Sequence, residues 1–306
     1  MEQSVKTIYP GNRMPSARKK RSTMRQLTPW FFLFPAMVIF VVYVIYPIID
    51  SIWLSFYQWD GLGDKTWVGL DNYVELFESD AFYTSLKNNF LWLVFFMIAP
   101  PAGLAIALFL NQQVKGIRVV KSLFFFPFVI SQVVVGLVFA WFYDPTFGLF
   151  NIALNGLGLE PIAILSNEKY VTYGIIAAGL WPQISYCMIL YLTGLNNLDP
   201  EQIEAARLDG AKKWRMLWYV VLPQLRPATF IAIVVTVIGA LRSFDLVATM
   251  TAGGPWGSSS VLAYQMYEES IFNYRMGFGA AVSVVLFLIM DVYIAYFLWR
   301  MLRSEK

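Results

Sequence analysis

The residues with chemistry to offer are few, and most sit in apolar surroundings. Arg242 and Asp245 lie three apart within the apolar run Ala228–Val247, a spacing that puts both on one face of a helix. Asp291 interrupts another such run, Phe278–Trp299. A charge facing lipid would cost several kcal/mol, so each of the three is expected to face protein or water. The Arg242–Asp245 pair serves either as an internal ion pair or as a solute contact. A second cluster, Trp181, Gln183, Ser185 and Tyr186, flanks Pro182 in the run Val171–Leu192. Proline removes a backbone donor and frees a carbonyl one turn earlier. A polar neighbourhood around that kink suits a helix lining a water-filled path. Pro100, Pro101 and Pro127 read as packing kinks by the same argument. Thr236, Gly239 and Ser243 recur at helical spacing and make a small, partly polar stripe able to face a cavity.

Several kinds of chemistry are excluded outright. The 306 residues contain no histidine and one cysteine, Cys187. Imidazole acid–base catalysis, a Cys/His zinc site and a disulfide framework are therefore ruled out. No metal site and no cofactor is expected in this chain. No G-x-x-x-x-G-K-[ST] phosphate loop occurs either, so any ATP and Mg must be bound, and the ATP hydrolysed, by a partner.

Composition names the surroundings. Hydrophobic residues make up 58% of the chain and charged residues 14%, against about 25% charged in soluble domains. Charge this sparse cannot cover a water-soluble surface of this size. Six runs reach the roughly 20 apolar residues that cross a bilayer as a helix: 30–52, 90–110, 123–142, 171–192, 228–247 and 278–299. The expected fold is all-α, a bundle of six transmembrane helices over residues 29–299. A β-barrel is disfavoured because the runs are continuous rather than alternating.

Basic residues orient it. The tail 1–28 carries Lys6, Arg13, Arg18, Lys19, Lys20, Arg21 and Arg25. The second loop adds Lys115, Arg118 and Lys121, and the fourth Arg207, Lys212, Lys213, Arg215 and Arg226. Residues 300–306 add Arg300, Arg303 and Lys306. The opposite loops hold only Lys65, Lys87, Lys169 and Arg275, beside eleven carboxylates. The positive-inside rule then puts both termini in the cytoplasm of a plasma membrane.

The fourth loop, 196–226, is a cytoplasmic hairpin. Asp199 is the expected N-cap, Pro200 fits the first helical position and Gln202 completes a capping box. Gly210 can stop that helix in a left-handed conformation. A second short helix is expected to end before Pro223. Tethering to two spans argues against DNA reading, and no nucleic-acid partner is expected. Lys212, Lys213 and Arg215 would suit a hairpin lying on lipid headgroups. Ala205 and Ala206 would let another backbone approach closely, with Glu204 offering a charge, as a knob docking on a cytoplasmic partner would need.

Glu204-Ala205-Ala206, Gly210, Val220, Leu222 and Pro223 together resemble the EAA loop of binding-protein-dependent ABC importer permeases, with valine at 220 where isoleucine is usual. The stretches 27–35, 46–47, 54–60, 68–73, 144–148, 244–247 and 251–255 are similar to the carbohydrate-uptake branch. The type is that of the maltose transporter's F subunit, without its extra N-terminal helices and large periplasmic insertion, as in the glycerol-phosphate and multiple-sugar permeases.

The resemblance implies a type I ABC importer permease fold and four kinds of partner. These are a second homologous permease, a cytoplasmic ATPase dimer, an extracytoplasmic solute-binding protein and a sugar or sugar-derived substrate, all in a bacterial or archaeal plasma membrane. It implies an ATPase-coupling surface at Glu204, Ala205, Ala206, Gly210, Leu222 and Pro223. It also implies a substrate path along Gly179, Pro182, Gln183 and Tyr186, then Thr236, Gly239, Ala240 and Ser243. Sugars are held by aromatic stacking and hydrogen bonds, which adds Trp181. The outer loops Trp59–Asp80 and Gly253–Ser260 are expected to meet the binding protein. An ion-coupled secondary transporter is the alternative reading, with Asp245 or Asp291 carrying the ion.

Overall fold

The structure, a computed structural model, describes residues 23–112 and 114–304. Lys6, Arg13, Arg18, Lys19, Lys20, Arg21 and Lys306, on which part of the orientation argument rests, lie outside the described residues. Two compact units divide after Asp50. In the first, α1 (Thr23–Phe40) passes through a π turn (Val41–Ile45) into α2 (Tyr46–Leu54), which crosses the division.

The second unit begins with a short antiparallel hairpin, β1 (Tyr57–Gln58) and β2 (Thr66–Trp67), in which Tyr57 pairs with Trp67. Asp60 closes its turn by accepting from the Leu62 and Gly63 amides, each at 2.9 Å. Those two amides hold the Asp60 carboxyl below the ordinary carboxylate range. Next come α3 (Asp71–Glu78), α4 (Asp80–Phe96), α5 (Ala99–Leu110), α6 (Ile117–Val129), α7 (Gln132–Phe142) and α8 (Leu149–Gly156). The long α9 (Val171–Asn196) leads into the hairpin helices α10 (Pro200–Leu208), α11 (Lys213–Met216) and α12 (Leu222–Gln224). The chain ends with α13 (Arg226–Leu241), α14 (Phe244–Met250), α15 (Leu262–Tyr267) and α16 (Met276–Ser304).

The chain is mostly helical. Four helical runs are long and apolar enough to cross a membrane, and six if each of two bent pairs counts as one span. The bends correct the picture of six plain spans. The third is broken at Ile130–Ser131, where α6 and α7 meet at 98°. Pro127, three residues earlier, stays inside α6. The second pauses at Met97–Ile98, because Pro100 and Pro101 tolerate only the first turn of a helix and the chain must restart there. The fifth ends at Leu241, and α14 starts after Ser243.

Small residues set the closest packing, between α5 and α9. Ala99, Gly103 and Ala107 recur every fourth residue and are buried. A Cβ on Gly103 would stand 2.6 Å from Cys187 Cβ and 2.7 Å from the Met188 amide nitrogen. Backbones this close are what small residues at i, i+4, i+8 permit in lipid, where packing rather than water drives association. On α4, Asn88 Nδ2 donates to the carbonyls of Ser258 (2.7 Å) and Ser260 (2.8 Å), and its Oδ1 accepts from Thr172. The loop after α14 is thereby tied down, leaving Trp256 at its tip 93% exposed.

Candidate functional site

α9 and α13 flank the hairpin in sequence and converge on one cavity of about 530 Å³. α9 contributes Gly179, Pro182, Gln183 and Tyr186, whose i, i+3, i+4, i+7 spacing puts them on one helix face. α13 and the break after it contribute Gly239, Arg242 and Ser243, and α14 Asp245 and Leu246. Trp92 and Phe96 of α4, Phe128 of α6 and Ser131 and Gln132 at the α6–α7 bend also line it, with Ile130, Val235 and Ile238 adding apolar surface.

Close packing explains Gly179, while Gly239 leaves ordinary contact distance to its neighbour. A Cβ on Gly179 would lie 3.0 Å from Leu246, Phe96 and Trp92 alike. One on Gly239 would lie 3.5 Å from Gln183 Oε1. The Gln183 amide is held from behind: its Nε2 donates to Thr236 Oγ1 at 2.9 Å, and that hydroxyl also meets Cys187 Sγ at 3.5 Å. With the nitrogen engaged, the amide oxygen is left to face the cavity as an acceptor. Tyr186 stacks on Phe128, centroids 4.9 Å apart and planes within 11°.

Six of the eight expected path residues line this cavity: Gly179, Pro182, Gln183, Tyr186, Gly239 and Ser243. Thr236 and Ala240 do not; both are wholly buried. Thr236 acts on the cavity through Gln183, and Ala240 packs in the core with Val247 and Tyr264. Trp181 and Ser185 point away as well. Trp181 rests against Phe139 at 5.8 Å, and Ser185 donates to the Trp181 carbonyl at 3.1 Å. The expected polar cluster around Pro182 thus divides between two helix faces.

Arg242 and Asp245 both line the cavity, but not as one helix face, because α13 stops at Leu241, before Arg242, and Asp245 belongs to α14, which starts at Phe244. They form no ion pair; among the described residues the ion pairs are those of Arg275 with Glu75 and Glu269. Asp291 is exposed on α16. The α4 aromatics and the α6–α7 bend were missing from the expected site. Trp92 and Phe96 stand four apart inside a run of uniform apolarity, which offers no periodicity to separate lining from core.

The hairpin is built more tightly than its motif suggests. Asp199 Oδ1 caps α10 by accepting from the Glu201 amide at 3.0 Å. The capping box does not close. The Asp199 amide instead donates to Gln224 Oε1 at 2.8 Å, while Gln202 joins both Asp199 Oδ2 and the Gln224 amide. A partner from the far arm locks the hairpin in a way a local cap cannot. At the other end Gly210 takes φ +76°. The Ala211 amide reaches the Ala206 carbonyl and the Gly210 amide that of Arg207, which is a Schellman stop.

The second arm does not end before Pro223. A π turn over Leu217–Val221 precedes α12, and the helical path runs on to Gln224. The wider turn leaves carbonyls unclaimed just where proline has no N–H to give. The path then turns 69° into α13. Glu204 and Ala205 are exposed, as are Leu208, Trp214, Trp218 and Tyr219. Those large apolar side chains mark an interaction surface. The signal for them, aromatics in an otherwise basic loop, was legible in the sequence.

Residues 99–303 match the family described as binding-protein-dependent transport system inner membrane component. A probable ABC transporter permease of Pyrococcus horikoshii is 34% identical over 90% of this chain and 96% of its own length. The alpha-glucoside transport system permease of Rhizobium meliloti is 31% identical, over 92% of this chain and 83% of that protein. Among solved structures, a bacterial ABC transporter involved in import of the acidic polysaccharide alginate superposes with a TM-score of 0.81. It is 21% identical and covers 92% of this chain and 98% of the matched chain. At that identity the likeness is one of fold.

Proposed function

The chain belongs to the binding-protein-dependent transport system inner membrane components, and from that premise we propose that it is a sugar-importing permease. It has the type I ABC importer permease fold. The ion-coupled alternative falls away, since this family is driven by a separate ATPase subunit. Relatives named for alpha-glucosides, trehalose/maltose and sn-glycerol-3-phosphate support a sugar or sugar derivative as cargo. In this reading six spans cross the membrane with both termini cytoplasmic, and the bent pairs α6–α7 and α12–α13 each belong to one span.

One observation carries the mechanism. The two helices that leave the hairpin, α9 and α13, are the two that supply Gln183, Tyr186 and Gly239 to the cavity. The hairpin, with Glu204, Ala205, Ala206, Gly210, Leu222 and Pro223, docks on the cytoplasmic ATPase. Its double lock through Gln224 lets it move as a rigid lever. Closure of the ATPase dimer then rocks α9 and α13 about their bends and alternates access to the cavity. Gln183 Oε1, Tyr186, Ser243, Gly179, Pro182 and Gly239 form the path, with Thr236 positioning Gln183. Catalysis stays with the partner that binds ATP and Mg.

A second permease completes the path and covers exposed Asp291, which lipid would not tolerate. The aromatic hairpin at Trp59 and the anchored loop carrying Trp256 receive the solute-binding protein. The test is Glu204→Lys in the reconstituted importer. Uptake is expected to fall to background and ATPase docking to weaken, with membrane insertion intact; unchanged uptake would remove the coupling role.

A further inference from the structure

Two cavities lie along α6 and α9, with a pair of stacked rings between them. Tyr186 and Phe128 line the first. A second, of about 270 Å³, opens further along the same helices, lined by Lys121, Ser122 and Phe125 of α6 and Ile189, Thr193 and Asn196 of α9. Tyr186, Ile189, Thr193 and Asn196 follow one another in steps of three or four residues, as do Phe128, Phe125 and Lys121, so each helix carries both linings along one face. Tyr186 and Thr193 are separated by about 10 Å of helix rise. No residue lines both cavities.

The second cavity is polar at its far end and has no carboxylate in its wall. Ser122 and Thr193 donate to carbonyls of their own helices, which leaves their oxygens as acceptors. Lys121 makes no ion pair among the described residues. Lys121, Ser122, Thr193 and Asn196 offer polar contacts to a hydroxyl-bearing or anionic solute, beside the apolar Phe125, Met188, Ile189 and Leu192. The partition beside it sits where the helices can move. The 98° bend follows Phe128 by two residues, and Pro182 precedes Tyr186 by four.

We propose that the second cavity is the exit station of the substrate path, and that the Phe128–Tyr186 stack is the partition closing the first cavity toward the cytoplasm. The proposal rests on the first cavity being the substrate path and on the orientation given above.

The test needs no knowledge of the cargo. In the assembled importer, in inside-out vesicles without nucleotide, Cys187→Ser removes this chain's one thiol. Gln132→Cys then puts a thiol in the first cavity and Thr193→Cys one in the second. A membrane-impermeant maleimide, read on this chain's own band, is expected to label Thr193→Cys and to spare Gln132→Cys. Adding Phe128→Leu or Tyr186→Ala is expected to bring Gln132→Cys up to the Thr193→Cys rate. Labelling of Gln132→Cys at that rate with the stack intact, or no change with either ring variant, overturns the partition. An unreactive Thr193→Cys overturns the exit station. Gln132→Cys inert in right-side-out vesicles too, with and without ATP, would instead sink the underlying reading of the first cavity.

Discussion

Gln183 on α9 and Thr236 on α13 are joined by a 2.9 Å hydrogen bond between side chains fifty-three residues apart. The bond ties together the helices on either side of the hairpin and orients the Gln183 amide, whose oxygen is left free toward the cavity. Thr236→Val keeps the shape and deletes the acceptor. The amide then loses its orientation, at a cost of about 1–3 kcal/mol for a buried group left unpaired. A lower melting temperature in detergent and a raised KM for uptake are expected, with Thr236→Ser restoring both. An unchanged KM would leave Thr236 a packing residue.

Gly103 faces Cys187 where α5 and α9 approach most closely. Gly103→Val forces the backbones apart, and overpacking of this kind costs about 1–3 kcal/mol. The expected outcome is a smaller monodisperse fraction on size exclusion after extraction. Gly116→Val, in open space but at φ +87°, should affect only the local turn.

Asn88 satisfies two carbonyls of the loop that carries Trp256. Asn88→Leu strands the buried Ser260 carbonyl, costing about 1–3 kcal/mol for a group left unpaired, and leaves the Ser258 carbonyl to the Thr172 hydroxyl alone. Proteolysis is expected to open the loop at 251–260, and the binding protein's stimulation of ATP hydrolysis to drop. Stimulation at the native level with the loop cut would separate the loop from binding-protein contact.

Asp60 accepts from two amides more strongly as a carboxylate than as the neutral acid, and its pKa is depressed. A depressed folded-state pKa means a contribution present above the ordinary carboxylate pKa and lost as pH falls through the lowered value. Amide exchange in residues 59–65, corrected for intrinsic rates, should therefore be slow at neutral pH and speed up on acidification. In Asp60→Asn that acid-induced step should vanish.

Gln224 holds the Asp199 amide across the hairpin. Gln224→Ala removes a capping interaction of about 1 kcal/mol and unlocks the two arms. ATP hydrolysis should persist while the uptake obtained per ATP declines. An unaltered ratio would show that the arms move together without this lock.

The class of the protein was legible residue by residue. Sparse charge, six apolar runs and the one-sided placement of lysine and arginine are one-dimensional quantities, because lipid selects for length and polarity along the chain. The hairpin was legible too. Asp199, Pro200 and Gly210 act through backbone neighbours within a few residues, and the Schellman stop at Gly210 formed where expected.

What sequence could not assign was which face of each buried helix meets water. Within an apolar run a residue lining a cavity and one filling the core have the same type, so Ala240 and Thr236 were not told apart from the lining residues and Trp92 and Phe96 went unnoticed. The breaks at Ile130–Ser131 and Arg242–Ser243 and the Gln224 lock likewise depend on segments distant in the chain. Local preference determined where helices could form and stop. Only packing between helices decided where they bend and what they enclose, because those contacts join residues that no short-range pattern relates.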